Sequence, residues 1–141
     1  MANVEDSIRE ILTGPKLAGL ATVTQEGQPW VRYVMALPNP KDFTLGVAAA
    51  VGSRKVAQIR GNPEVHVTCG VDSLETARHY VQIQARAEVT QDDELRRAYW
   101  SVMLGDYFKG PDDPQYALIL IKPYRIEYMS MGSLEPEVWE A

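Results

Sequence analysis

The stretch "KLAGLATVTQEGQPWVRYVMAL", Lys16 to Leu37, decides how the rest of the chain is read. "KLAGLATVT" has the small and β-branched residues of a strand. "QEGQP" is a turn, with Gly27 free to take the left-handed backbone angle that a tight reversal needs. "WVRYVMAL" is the returning strand, so Leu17 to Leu37 is predicted as a β-hairpin.

Working outward from the hairpin, Val4, Ile8, Ile11 and Leu12 follow the spacing of an amphipathic helix, which Gly14-Pro15 ends. "PNPKD" is a second turn and "FTLGVAAA" a third strand. A short helix is predicted over Ser53–Arg60, with the Ser53 hydroxyl as N-cap and Gly61 in a left-handed position at its end. "EVHVTCG" and "ARHYVQIQARAEVT" alternate as strands: Val65, Val67 and Cys69 share one face, as do Val81, Ile83, Ala85, Ala87 and Val89. Thr90 is read as the cap of a further helix with Asp92, Asp93 and Glu94 in its first turn. Its apolar stripe is Leu95, Ala98, Tyr99, Val102 and Met103, and Gly105 is its stop. "QYALILIKPYRIEYMS" gives one long strand or two around Pro123, and the tail "MGSLEPEVWEA" reads as irregular. Hairpin connections without βαβ alternation point to an antiparallel sheet closed or nearly closed into a small barrel, with helices at its ends.

The chain has 141 residues, 45% of them hydrophobic and 23% charged, enough for one domain over residues 1–141 with a real core. A net charge of −5 argues against nucleic acid and anionic membranes as partners, while leaving room for a local cationic pocket. Cys69 is the one cysteine, so an intrachain disulfide and a cysteine zinc cluster are excluded, in keeping with a cytoplasmic protein. The opening "MANVEDSIREIL" lacks the order of a signal peptide, and no apolar run is long enough to cross a bilayer as a helix.

Arg54 and Lys55 stand in the first turn of the short helix, where the dipole favours acids. Free N–H groups at a helix start make an anion site, and a phosphate there could take the Ser53 hydroxyl, two Arg54 donors and the Lys55 charge. The competing reading is a helix start whose cations face water. Arg32, on an otherwise apolar strand, either reaches the same anion or points to solvent. His66 and His79 lack metal-ligand spacing, Cys69 reads as core, and no nucleophile–base pair or metal motif is visible. Trp139 in a polar tail is read as docking on a partner subunit or over a flat ligand.

The ordered set "LAGLATVTQEGQPWVRYVMAL", "FTLGVAAAVGSRKVAQIRGNPEVHV" and "YVQIQARAEV" resembles the pyridoxamine 5′-phosphate oxidase-like FMN-binding split barrels, nearest the general stress protein 26 group. S-R-K followed by the N-P-x-V strand is its most specific piece. The resemblance implies a mainly β fold, a six-stranded antiparallel Greek-key split barrel with a few short peripheral helices. It implies a homodimer with FMN at the interface, its phosphate held by Ser53, Arg54 and Lys55. Arg32, Tyr33, Val34 and Met35 would then lie along the flavin, with Ala48 and Ala49 close by. Tyr80 falls where the family's oxidases place a glutamine near the ring.

Those oxidases carry a lysine where this chain has Leu37, an aromatic and a hydroxyl where it has Ala48 and Ala49, and a terminal R-x-H pair that it lacks. Pyridoxamine phosphate oxidation itself is therefore not expected. The implied function is hydride transfer through bound flavin to or from a small molecule, with a tie to stress. The alternatives are a non-enzymatic flavin store, the same barrel using FAD, F420 or haem, and a dimeric interaction module without a ligand.

Overall fold

A computed structural model describes residues 3–141. Three short helices are present among them: α1 (Val4–Ile11), α2 (Arg54–Gly61) and α3 (Asp93–Ala98). Seven strands complete the fold: β1 (Lys16–Val23), β2 (Pro29–Pro38), β3 (Leu45–Ala50), β4 (Glu64–Cys69), β5 (His79–Thr90), β6 (Tyr116–Ser130) and β7 (Glu137–Glu140). They form one antiparallel sheet in the order β3-β2-β1-β4-β5-β6-β7, and β3 also pairs with β6. That extra pairing closes the first six strands into a barrel, split where β2 meets β3 through Leu37 and Pro38 alone. The mainly β split barrel expected from the sequence is the fold observed.

The predicted hairpin is β1 and β2, in register from Lys16 opposite Ala36 to Val23 opposite Pro29, with Gly27 at a positive φ of 80° in the turn. Alternation on β4 and β5 fills the barrel with Val65, Val67, Val81, Ile83 and Ala85, all buried. The 15 residues of β6 form one strand. Its Tyr116–Ile121 half pairs with β3, and its Arg125–Tyr128 half pairs with β7. A register shift opposite Gln84 and Ala85 accommodates Pro123, which has no N–H for the ladder.

Several local expectations are corrected. Phe43 belongs to a turn, at a φ of 64°, and β3 begins at Leu45. Gly61 is the last residue of α2 and does not take a left-handed angle; Asn62 is the C-cap. The cap of α3 is Asp92, whose carboxylate accepts from Leu95 N–H, while Thr90 accepts from Asp92 N–H. The predicted stripe on the third helix breaks in two. α3 stops at Ala98, and Val102–Asp106 forms a separate 3-10 turn that contains Gly105, leaving Val102 and Met103 exposed.

The tail is also ordered. β7 sets Trp139 edge-on to Phe43, with ring centroids 5.2 Å apart, so the indole docks on its own chain. Arg9 of α1 covers the Phe43 ring at 5.4 Å and donates from Nε to Pro40 O at 3.0 Å. Both ends of the chain thus clamp the β2–β3 turn.

Candidate functional site

β2 stays paired with β1 from Pro29 to Ala36 but pairs with β3 through Leu37 and Pro38 alone, so the barrel wall opens between β2 and β3 beside Met35, where β3 carries small residues. A cavity of about 680 Å³ lies at this opening. One wall is Tyr33, Val34 and Met35 of β2, Ala48, Ala49 and Ala50 of β3, and Lys55 of α2. Facing them are Met103, Leu104, Asp106, Tyr107 and Phe108 from the segment after α3. The volume lies within the range of about 300–1,000 Å³ usual for small-molecule sites. Alanines at 48 and 49 keep the floor low, where larger side chains would fill it.

A second hollow of about 580 Å³ lies on the outer face of β1, β2 and β4. Arg32, Tyr33, Cys69 and Tyr80 are among its lining residues. Tyr33 belongs to both hollows. Tyr80 is thus kept apart from the first cavity within one chain.

The α2 start carries the local charge. Ser53 is the N-cap by backbone angle, but its hydroxyl makes no cap bond, and the Oγ is buried without a partner. This corrects the expected cap and leaves a polar atom unsatisfied, an arrangement that costs about 1–3 kcal/mol. Arg54 and Lys55 follow, with no acid in the first turn. Arg54 lies over the Trp30 ring at 6.0 Å.

Arg32 is held from below. It donates from Nη1 to Leu20 O at 3.1 Å and Thr22 Oγ1 at 2.8 Å, and from Nη2 to Gln58 Oε1 at 2.9 Å. Thr22 in turn donates to Gln58 Oε1 at 2.5 Å. Gln58 is on α2, so this network ties the charged strand residue to the charged helix.

Burial first, and then the Arg54 charge, hold the Arg32 guanidinium below its ordinary pKa. Burial and then Arg32 do the same to the Lys55 ammonium. None of the three cations is in an ion pair with a carboxylate among the described residues, whereas Arg9, Arg86, Arg96, Arg97 and Arg125 all are. Three mutually repelling cations beside an unsatisfied hydroxyl are stabilised by an anion.

Of the far wall, Met103 falls on the predicted helical stripe, and Asp106, Tyr107 and Phe108 follow no pattern in the sequence. Arg96 fixes it. This buried guanidinium donates to Asp113 O at 3.0 Å, Tyr116 O at 3.2 Å and Asp93 Oδ1 at 2.8 Å. Phe108 packs on the Tyr116 ring at 5.2 Å. Val71 lines the second hollow, and the tail packs on Phe43.

Neither histidine lines either hollow. Burial pushes the Cys69 thiol up to about 11, and the described residues hold no group of three or more His, Cys, Asp or Glu side chains placed for a metal ion. Among the described residues no helix is long and apolar enough to cross a membrane.

A split barrel open beside a cationic helix start defines the class, and sequence comparison gives the family. The family model described as pyridoxamine 5′-phosphate oxidase matches residues 4–130, so the chain belongs to that family. It is 29% identical over 134 residues to general stress protein 26 of Bacillus subtilis (strain 168), covering 95% of this chain and 94% of that one. The crystal structure of general stress protein 26 from Bacillus anthracis str. Sterne superposes with a TM-score of 0.84 at 29% identity, covering 98% of each chain. A heme binding protein from Mycobacterium smegmatis shares the fold, with a TM-score of 0.81 at 17% identity over 99% of this chain and 59% of that one.

Proposed function

We propose that the chain is a cytoplasmic, FMN-binding, oxidoreductase-like protein that works as a homodimer, with the flavin phosphate at the start of α2. The observation that carries this reading is the cluster of Arg32, Arg54 and Lys55 without a carboxylate, beside a buried Ser53 hydroxyl without a partner. In this reading Arg54 grips two phosphate oxygens, Lys55 adds a point charge, and Ser53 donates its hydroxyl. Arg32, oriented by Thr22 and Gln58, adds field from the strand. Val34, Met35, Ala48 and Ala49 form an apolar bed for a flat ring. Bound flavin supplies the redox chemistry, exchanging a hydride at N5, and the protein supplies position and electrostatics.

FMN fits this cavity better than the rival cofactors. Haem is most often held by a histidine or a cysteine thiolate, and neither histidine nor Cys69 lines the first cavity. The long anionic tail of F420 calls for further cations, and Lys55 is the one cation in the lining. The second hollow, with its apolar outer face, is the surface we assign to a second copy. Tyr80 would reach the partner's flavin from there.

Titration of flavin-free protein with FMN tests the reading. Binding that is lost in the Arg54→Ala, Lys55→Ala double variant supports it. Absence of FMN binding, or equal binding by both proteins, overturns it.

A further inference from the structure

Lys55 is the sole cation lining the first cavity, and the flavin reading assigns it to the phosphate. What remains in the cavity wall is a carboxylate, Asp106, in company with Met103, Tyr107 and Phe108. The Asp106 carboxylate makes no hydrogen bond or ion pair with any described residue, in contrast to those of Asp92, Asp93, Asp112 and Asp113 in the same region. Its neighbours offer apolar surface to the opening: Met103 is 57% and Tyr107 is 79% exposed.

This wall is held firmly. The Leu104 side chain is buried beneath it, and Phe108 N–H donates to Leu104 O at 2.9 Å. Lys109 N–H donates to Asp113 Oδ2 at 2.8 Å, and Arg96 ties the Asp113 and Tyr116 carbonyls to α3. An unpaired carboxylate carried on a braced turn among exposed aromatic and thioether groups is suited to a flat cation. The carboxylate meets the charge, and the rings meet the plane.

We infer that the Asp106 wall selects the substrate of the flavin site, and that it takes an aromatic or heteroaromatic ring bearing a positive charge and rejects a phosphorylated or carboxylated one. The inference rests on the flavin reading, since it gives Lys55 to the cofactor. It also separates this chain from a site for an anionic pyridoxal compound.

Calorimetric titration with 2-naphthylmethylamine and 2-naphthoate, a pair matched in ring and opposite in charge, tests the wall on FMN-loaded protein. FMN affinity is measured in parallel on each variant. The amine is expected to bind more tightly than the acid by about fivefold, the scale of a partly exposed ion pair. Asp106→Asn should abolish the preference and Asp106→Lys should reverse it, with FMN binding retained in both. Equal binding of the two probes by the parent protein, or a preference that survives Asp106→Asn, overturns the inference. Failure of the parent protein to bind FMN overturns the flavin reading instead, and the probe preference is then read on the flavin-free protein.

Discussion

The Ser53 hydroxyl is where stability and binding part company at the scale of one residue. A capping serine changed to alanine ordinarily costs about 0.5–2 kcal/mol. Here the hydroxyl caps nothing and is buried without a partner. Ser53→Ala is therefore expected to remove an unsatisfied hydroxyl and stabilise the ligand-free protein, by up to about 1–3 kcal/mol in urea unfolding. FMN binding should weaken by on the order of tenfold, the scale of a hydrogen bond to a charged group. A large stability loss would mean that the hydroxyl caps the helix after all. Cys69 gives a second single-residue test, through pH. Its folded thiol is pushed from 9.0 up to about 11, chiefly by burial. Below pH 9 the thiol is protonated in both folded and unfolded chains, and its contribution is constant. Between the two values the unfolded chain releases the proton while the folded one keeps it. Stability therefore falls as pH rises, by at most about 1.4 kcal/mol per pH unit. The difference in urea midpoint between the parent and Cys69→Ala should shrink from pH 8 to pH 10.5; a constant difference would refute the buried-thiol account.

At the scale of elements, the stretch from α3 to β6 was the hardest to read and has the sharpest energetic signature. Leu95, Ala98, Tyr99, Val102 and Met103 have helical spacing, but the helix ends at Ala98, with Tyr99 as its C-cap. Its ring lies over Gly46 of β3, where an added Cβ would collide with it. Gly46→Ala should therefore cost about 1–3 kcal/mol by overpacking. Tyr99→Ala in the same chain should recover part of that loss in a double-mutant cycle. Additive effects would show that the two positions do not share this space. The neighbouring arginines show the same division between inside and outside. Arg96 is 6% exposed and satisfies two carbonyls, so Arg96→Ala should cost about 2–4 kcal/mol. Arg97 pairs with Asp112 in the open, and Arg97→Ala should cost less than about 0.5 kcal/mol. Period-two alternation made β4 and β5 legible, and the Gly27 turn made the first hairpin legible, because both signals are local. The paired network of Arg32, Thr22 and Gln58, the buried Arg96 and the docking of Trp139 on Phe43 join residues far apart in sequence. Periodicity carries no trace of such pairings. Of the candidate site, the near wall was legible through S-R-K and the β2 and β3 strands, while the Asp106 wall was hidden in a turn with no regular pattern.

Over the whole molecule, the barrel leaves one outer face uncovered. Leu17, Val31 and Tyr33 are 63%, 66% and 80% exposed. The β1–β2 register places Ala21 opposite Val31, Gly19 opposite Tyr33 and Leu17 opposite Met35. These side chains therefore project from one outer surface, flattened at Gly19 and Ala21 and hollowed by the second cavity. An apolar strip of this kind is unusual on a monomer and suits a self-complementary contact between two copies. Tyr33 lines both this surface and the first cavity, so on the proposed reading assembly and binding are expected to be coupled. Leu17→Lys with Val31→Lys puts two charges on the strip without touching the core. The double variant should fold with stability close to that of the parent protomer and sediment as a monomer where the parent sediments as a dimer. If a second copy completes the site, FMN affinity should fall in the same variant although Ser53, Arg54 and Lys55 are intact. A parent that sediments as a monomer would remove the dimer from the proposed function. A monomeric variant that binds FMN as tightly as a dimeric parent would place the whole phosphate and ring site within one chain.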